Sequence, residues 1–215
     1  MIKKIKQTKF ERVLLIFILI LGITSFGSFA LIKNKCLFVK NYNPEKLKFN
    51  NPENIAILNA PCGNVIIELY PNISKNSVER FKMLIKSGQY NDVAFHRVIK
   101  NFLVQAGDLK FGKKNNLNYA YIGTGESGFG TIKSELSAGF DFNKGSVALA
   151  RTDKKNTEDS QFFILLEDAP LFKGEYTPVG RVIYGLKVLK KIKYAEKTEY
   201  VLRPDFINTF NMLVN

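Results

Sequence analysis

Residues 95–108 read FHRVIKNFLVQAGD, and the fold turns on how this stretch divides. Residues 94–99 and 102–106 are short runs rich in β-branched and aromatic side chains, as strands are, and Lys100-Asn101 supplies a polar turn between them. In the first strand, alternation places Arg97 and Ile99 on one face and His96 and Val98 on the other. Phe102 and Leu103 are neighbours and cannot share a face of a regular strand. Should both serve one site, the backbone there must be irregular or the two side chains must sit at different depths.

Further strands are expected on both sides of this core. Upstream, residues 54–59 and 64–70 read as strands around the turn Pro61-Cys62-Gly63. A helix is expected to open at Ser77, with Val78, Phe81, Leu84 and Ile85 at helical spacing and Ser87-Gly88 at its end. Residues 110–130 are glycine-rich. Their string GTGESG at 123–128 has the glycines of a phosphate-binding loop but lacks the Lys-Ser/Thr tail, and no helix signal follows, so the glycines read as turn residues. GSVALA at 145–150 and SQFFILL at 160–166 are apolar strands joined by a polar loop. Residues 178–183 form another strand, 188–192 a helix, and 200–215 a closing strand or tail. Many short strands with two helices predict a mainly β fold, a closed β-barrel capped by two helices.

Composition narrows the function classes. The chain has 215 residues, 46% hydrophobic and 24% charged, which suits one compact domain with an appendage. One His and two Cys are too few for a zinc site of Cys and His ligands, and no metal or other cofactor is expected. The net charge of +13 is spread out, with short pairs such as Lys154-Lys155 and Lys190-Lys191, so no nucleic-acid partner is expected. Residues 1–12 carry Lys3, Lys4, Lys6, Lys9 and Arg12 against Glu11, and residues 13–32 carry no charge. Twenty apolar residues in a helix span about 30 Å, the hydrocarbon thickness of a bilayer. Residues 1–32 therefore read either as a membrane-spanning signal-anchor or as a signal peptide cut after Ala30. Either reading puts residues 33–215 outside the cytoplasm, in a periplasm-like compartment, membrane-anchored in the first case and released in the second. Residues 33–54, polar and holding Pro44 and Pro52, read as a linker, and residues 55–215 as the domain. Cys36 and Cys62 would then face oxidising conditions, although their spacing does not demand a disulfide.

No hydrolase constellation is present: the only His lies within an apolar strand, and no Ser sits in a nucleophile-elbow pattern. What remains is the stretch 95–108, followed in order by GSVALART at 145–152 and SQFFI at 160–164. These resemble the cyclophilin family of peptidyl-prolyl cis-trans isomerases, whose pattern is F-H-R-[VI]-I-x-x-F-[ML]-x-Q-[GA]-G-D followed by S-Q-F-F-I. The similarity runs from about Ile55 to about Ile192 and looks closest to the bacterial branch. It implies a cyclophilin-like eight-stranded antiparallel barrel, isomerisation of X-Pro bonds in proline-containing polypeptides, no cofactor and a monomer. It also implies that Arg97, Gln105 and Phe102 are catalytic, and that Leu103, Ala150, Arg151, Phe163, Leu171, Phe172 and Tyr176 bind substrate.

These residue types fit such a reaction. An X-Pro bond crosses a barrier of about 18–20 kcal/mol because amide resonance must be broken, and no proton need move. As the amide twists, the prolyl nitrogen regains its lone pair, and a fixed cationic donor stabilises that state alone. A guanidinium, always charged and rigid, suits the task. An apolar pocket would hold the ring, and Gln105 could hold a peptide carbonyl and orient Arg97. A non-catalytic proline-peptide binder on the same fold would retain the same residues, and proline-limited exchange separates the two. The chain departs from the family in having no Trp: Leu171 stands at that position, Phe172 replaces a Leu and Tyr176 a His. Leu103 takes the usual Met position, Ala106 that of the commoner Gly and Arg151 that of an Asn, the last as in bacterial relatives. Cyclosporin-type inhibitors are therefore expected to bind weakly.

Overall fold

The computed structural model describes residues 8–33 and 35–213, so Lys3, Lys4, Lys6 and the last two residues of the expected tail lie outside the described residues. The chain divides into two compact units, the division falling between Phe38 and Val39.

The first unit holds helix α1, Lys9–Lys33. It starts at a capping box: the Thr8 N–H donates to Glu11 Oε2 at 2.7 Å, and the Glu11 N–H donates to Thr8 Oγ1 at 3.3 Å. The expected transmembrane helix is corrected here, because no helix among the described residues is long and apolar enough to cross a membrane. The uncharged stretch of α1 begins at Val13. The turn before it carries Lys9, Glu11 and Arg12.

The second unit is built on strands β1 Ile55–Ala60, β2 Gly63–Leu69, β3 Arg97–Ile99, β4 Leu103–Ala106, β5 Ser146–Leu149, β6 Phe162–Leu165, β7 Thr177–Tyr184 and β8 Thr209–Met212. They form an eight-stranded sheet in the order β3-β4-β6-β5-β7-β2-β1-β8. Every ladder is antiparallel. The expected closed barrel is corrected to an open half-barrel: β3 and β8 are its edges, and among the described residues no ladder joins them. The chain that could close it, residues 199–207, makes single bridges, Arg97 to Tyr200 and Ala94 to Phe206. Between these bridges Arg203 is left-handed at φ 59° and Pro204 has no N–H to donate, so a continuous strand cannot form there.

Helix α2, Lys75–Lys86, begins two residues earlier than expected and covers the concave face with Val78, Phe81, Leu84 and Ile85 buried. Phe81 meets Phe162 and Phe210 edge-on at 5.1 and 5.7 Å, and burying such a ring contributes about 2–3 kcal/mol. Helix α3, Leu186–Leu189, is a single turn packed beside β2. The chain before β1 is not a free tether over its later part. The Asn64 N–H donates to Asn41 Oδ1 at 2.9 Å, and the Tyr42 ring lies 5.1 Å from that of Tyr184. Neither cysteine is free: Cys36 and Cys62 are both disulfide-bonded.

Register places the site. Arg97 pairs with Gln105, Gln105 with Phe163 and Phe163 with Ala148, so these four form one row across β3, β4, β6 and β5. Ile99, Leu103 and Leu165 form the next row on the same face. Leu103, Phe163, Ala148 and Leu165 are buried there in a second apolar cluster with Phe140, Phe142 and Ala169.

Candidate active site

The irregularity expected at Phe102 is real. Asn101 takes φ 59°, the Phe102 N–H donates to the Ile99 carbonyl at 3.0 Å, and β4 begins only at Leu103. Phe102 is therefore a turn residue whose half-buried ring meets Phe172 edge-on at 5.9 Å, while Leu103 is buried beneath. Two neighbours thus reach one site at two depths.

Arg97, Phe102, Leu103, Gln105, Ala150, Arg151, Phe163, Phe172 and Tyr176 line one hollow of about 110 Å³. Its apolar wall is aromatic. Phe172 lies 5.7 Å from Phe163 and 4.6 Å from Tyr176, and Tyr176 lies 5.1 Å from Phe163. Leu171, expected among the binding residues, is not in the hollow: it is 88% exposed, on the one-turn helix Pro170–Phe172 that turns Phe172 inward.

The polar side is a relay of fixed donors and acceptors. Arg97 Nη1 donates to Gln105 Oε1 at 3.1 Å, and Gln105 Nε2 donates to Gln161 Oε1 at 3.1 Å. Gln161 Nε2 donates to the carbonyls of Gly123 and Gly125 at 2.9 and 3.1 Å. Buried Asp108 fixes that loop by accepting the N–H groups of Gly123 and Gly125 at 2.7 and 3.1 Å. A side chain at Gly125 would collide with the Asp108 carboxylate, so only glycine fits. On the opposite rim Arg151 Nε donates to the Glu175 carbonyl at 3.0 Å, and its guanidinium lies 5.1 Å from the Tyr176 ring centre.

The hollow offers a charged donor beside an aromatic wall, and its lining holds no carboxylate, imidazole, thiol or aliphatic hydroxyl. His96 cannot serve as a base. It is fully buried, and neither ring nitrogen makes a well-formed hydrogen bond. Burial pulls its pKa down to about 4, outweighing nearby Asp108, the Ala94 backbone and the Gln161 side chain. A site that grips and polarises without moving protons suits rotation about a bond.

Residues 55–211 match the family model described as "Cyclophilin type peptidyl-prolyl cis-trans isomerase/CLD". The chain belongs to the cyclophilin-type peptidyl-prolyl cis-trans isomerases. It is 41% identical over 160 residues to a Brucella suis protein named "Probable peptidyl-prolyl cis-trans isomerase", an alignment covering 73% of this chain and 81% of the relative. It is 34% identical over 135 residues to the "Peptidyl-prolyl cis-trans isomerase" of Acinetobacter baylyi, covering 63% of this chain and 66% of the relative. The crystal structure of a cyclophilin-type isomerase from Cryptosporidium parvum superposes with a TM-score of 0.65 at 26% identity, covering 75% of this chain and 98% of the other.

Within this cyclophilin the hollow also depends on residues outside the expected set. Gln161 is one, although it stands inside the quoted SQFFI motif, where its polar side chain between Ser160 and Phe162 was the available signal. Phe142, 6.2 Å from Phe172, supports the wall from behind. Glu199, whose Oε2 accepts from Arg97 Nε at 2.7 Å, is another, and no local pattern marks it.

Proposed function

We propose that this isomerase turns X-Pro bonds by aiming the Arg97 guanidinium at the prolyl nitrogen of a residue seated against Phe102, Leu103, Phe163, Phe172 and Tyr176. A planar amide nitrogen is a poor acceptor. The twisted one carries a lone pair, so a donor fixed beside it favours the twisted state selectively. Gln105 orients Arg97 and offers its amide to the substrate backbone, while Ala150 and Arg151 form the rim along which the peptide lies. The observation that carries this reading is the Arg97–Gln105–Gln161 relay at the mouth of the aromatic hollow.

Exchange between cis and trans forms of an Ala-Pro peptide, followed by NMR, tests it. Arg97→Ala is expected to lower kcat/KM about 100-fold while peptide binding falls far less. Unchanged exchange in that variant would overturn the assignment.

The substrates we propose are folding or flexible chains outside the cytoplasm, in a periplasm-like compartment. Support comes from the disulfide-bonded state of both cysteines, which suits an oxidising compartment. A monomer suffices, since one chain supplies every residue of the hollow. Alkylation of the protein from its native cells, under denaturing and non-reducing conditions, is expected to label neither cysteine; full labelling would argue against export.

A further inference from the structure

The Arg97 guanidinium has a second tether, from a residue about a hundred positions along the chain. Glu199 Oε2 accepts from Arg97 Nε at 2.7 Å and stands 2.6 Å from Nη2. One carboxylate oxygen thus takes two adjacent corners of the guanidinium, while Gln105 holds Nη1. Backbone pairing sets this placement. The Val98 N–H donates to the Glu199 carbonyl at 2.9 Å, and the Val201 N–H donates to the His96 carbonyl at 2.9 Å. The segment therefore lies antiparallel along the edge of β3, with Arg97 bridged to Tyr200. Just before Glu199 it stands away from the sheet: a groove of about 510 Å³ opens between residues 98–100 and 194–199, spanned by Lys100 Nζ at 4.7 Å from the Tyr194 ring.

We propose that Glu199 is a positioning residue for the isomerase reaction, locking the guanidinium in the orientation that leaves its remaining N–H groups for the substrate. This rests on the reading of Arg97 given above. The pair adds little to the stability of the fold, because the side chains are 28% and 54% exposed and water screens them. Its leverage is angular. A guanidinium held only at Nη1 can swing about its long side chain, and small misplacements of a catalytic group are costly to rate. Tied at Nε, Nη1 and Nη2, it cannot.

The test is NMR exchange with an Ala-Pro peptide on the full chain, for wild type, Glu199→Ala, Glu199→Gln, Arg97→Ala and the Arg97→Ala/Glu199→Ala pair. Glu199→Ala is expected to lower kcat about tenfold with KM within about twofold and the thermal midpoint unchanged. Glu199→Gln keeps an acceptor oxygen at the same reach and is expected to stay within about threefold of wild type. Adding Glu199→Ala to Arg97→Ala is expected to change nothing further, because the effect passes through the guanidinium. Full kcat in Glu199→Ala, or an equal loss in the Arg97→Ala background, would overturn the proposal while leaving the role of Arg97 intact. Full exchange activity in Arg97→Ala would instead remove the reading on which it rests.

Discussion

Lowering the pH from 7.5 to 4 is expected to weaken the fold by about 3 kcal/mol through His96 alone. The ring is fully buried, and burial is the main cause of its depressed pKa, about 4 against an ordinary 6.5. In the unfolded chain the imidazole returns to its ordinary value. Between the two values the unfolded state binds a proton that the folded state refuses, so stability rises with pH across this window. The contribution is fully present above the unfolded value. It falls by about 2 kcal/mol at pH 5 and about 3 kcal/mol at pH 4, one pKa unit being worth about 1.4 kcal/mol. The assay is urea unfolding followed by circular dichroism at steps of pH, on wild type and His96→Phe. The variant keeps a flat ring at the place where His96 stacks on Tyr200, 6.4 Å away. Each protein is compared with itself, so carboxylate titrations common to both cancel. Wild type is expected to lose about 2 kcal/mol more than the variant between pH 7.5 and 5. Equal losses would refute the reasoning, because they would mean that the ring keeps its ordinary affinity for protons inside the fold.

Phe172→Ala removes the ring that touches Phe102, Phe142, Phe163 and Tyr176. It is expected to raise KM for a proline peptide about tenfold and to cost about 1–2 kcal/mol of stability, read from exchange at several peptide concentrations and from urea midpoints. Gly125→Ala forces a methyl group onto the Asp108 carboxylate and is expected to cost about 2–4 kcal/mol and to lower activity by loosening Gln161, measured by the same two assays. A cyclosporin-type cyclic peptide is expected to bind no tighter than about 1 μM in a titration, since the chain has no Trp to donate an indole N–H and Leu171 stands exposed in its place.

The row that builds the site could be read from the sequence because a strand repeats every two residues. Arg97 and Ile99 lie on one face, and β4 returns Gln105 and Leu103 beside them. The crowding of Phe102 against Leu103 was equally visible, and the left-handed Asn101 resolves it by moving Phe102 into the turn. Barrel closure was not readable from the number of strands, since an edge closes only if its last segment can donate. Pro204 carried that information at one position that a strand count ignores. The Glu199 contact lay beyond any local pattern: it depends on the carboxyl-terminal segment returning along β3, a matter of topology. Leu171 shows the converse, because matching a family position by order says nothing about which way the side chain faces on a one-turn helix.

The division of labour between charge and hollow follows from counting donors. A guanidinium has five N–H groups; Glu199 accepts the one at Nε and stands 2.6 Å from Nη2, while Gln105 accepts one at Nη1. The second N–H of Nη1 and the face of Nη2 turned away from Glu199 are left for the substrate. A hydrogen bond from a charged donor contributes about 1.5–3 kcal/mol net, which corresponds to roughly 10- to 150-fold in rate when it forms only in the twisted state. That range brackets the loss expected for Arg97→Ala. On the proposed reading, acceleration beyond it comes from the aromatic wall, which would hold the ring still while the preceding carbonyl turns, and from the Gln105 amide on the substrate backbone. The two contributions act on different quantities. As proposed, the donor would act on the twisted amide and so on kcat, whereas the wall would grip both planar forms as well and so also set KM. Arg97→Ala and Phe172→Ala should therefore separate in a plot of kcat against KM. If both moved the same parameter by the same factor, the donor and the wall would not be distinct parts of the catalyst.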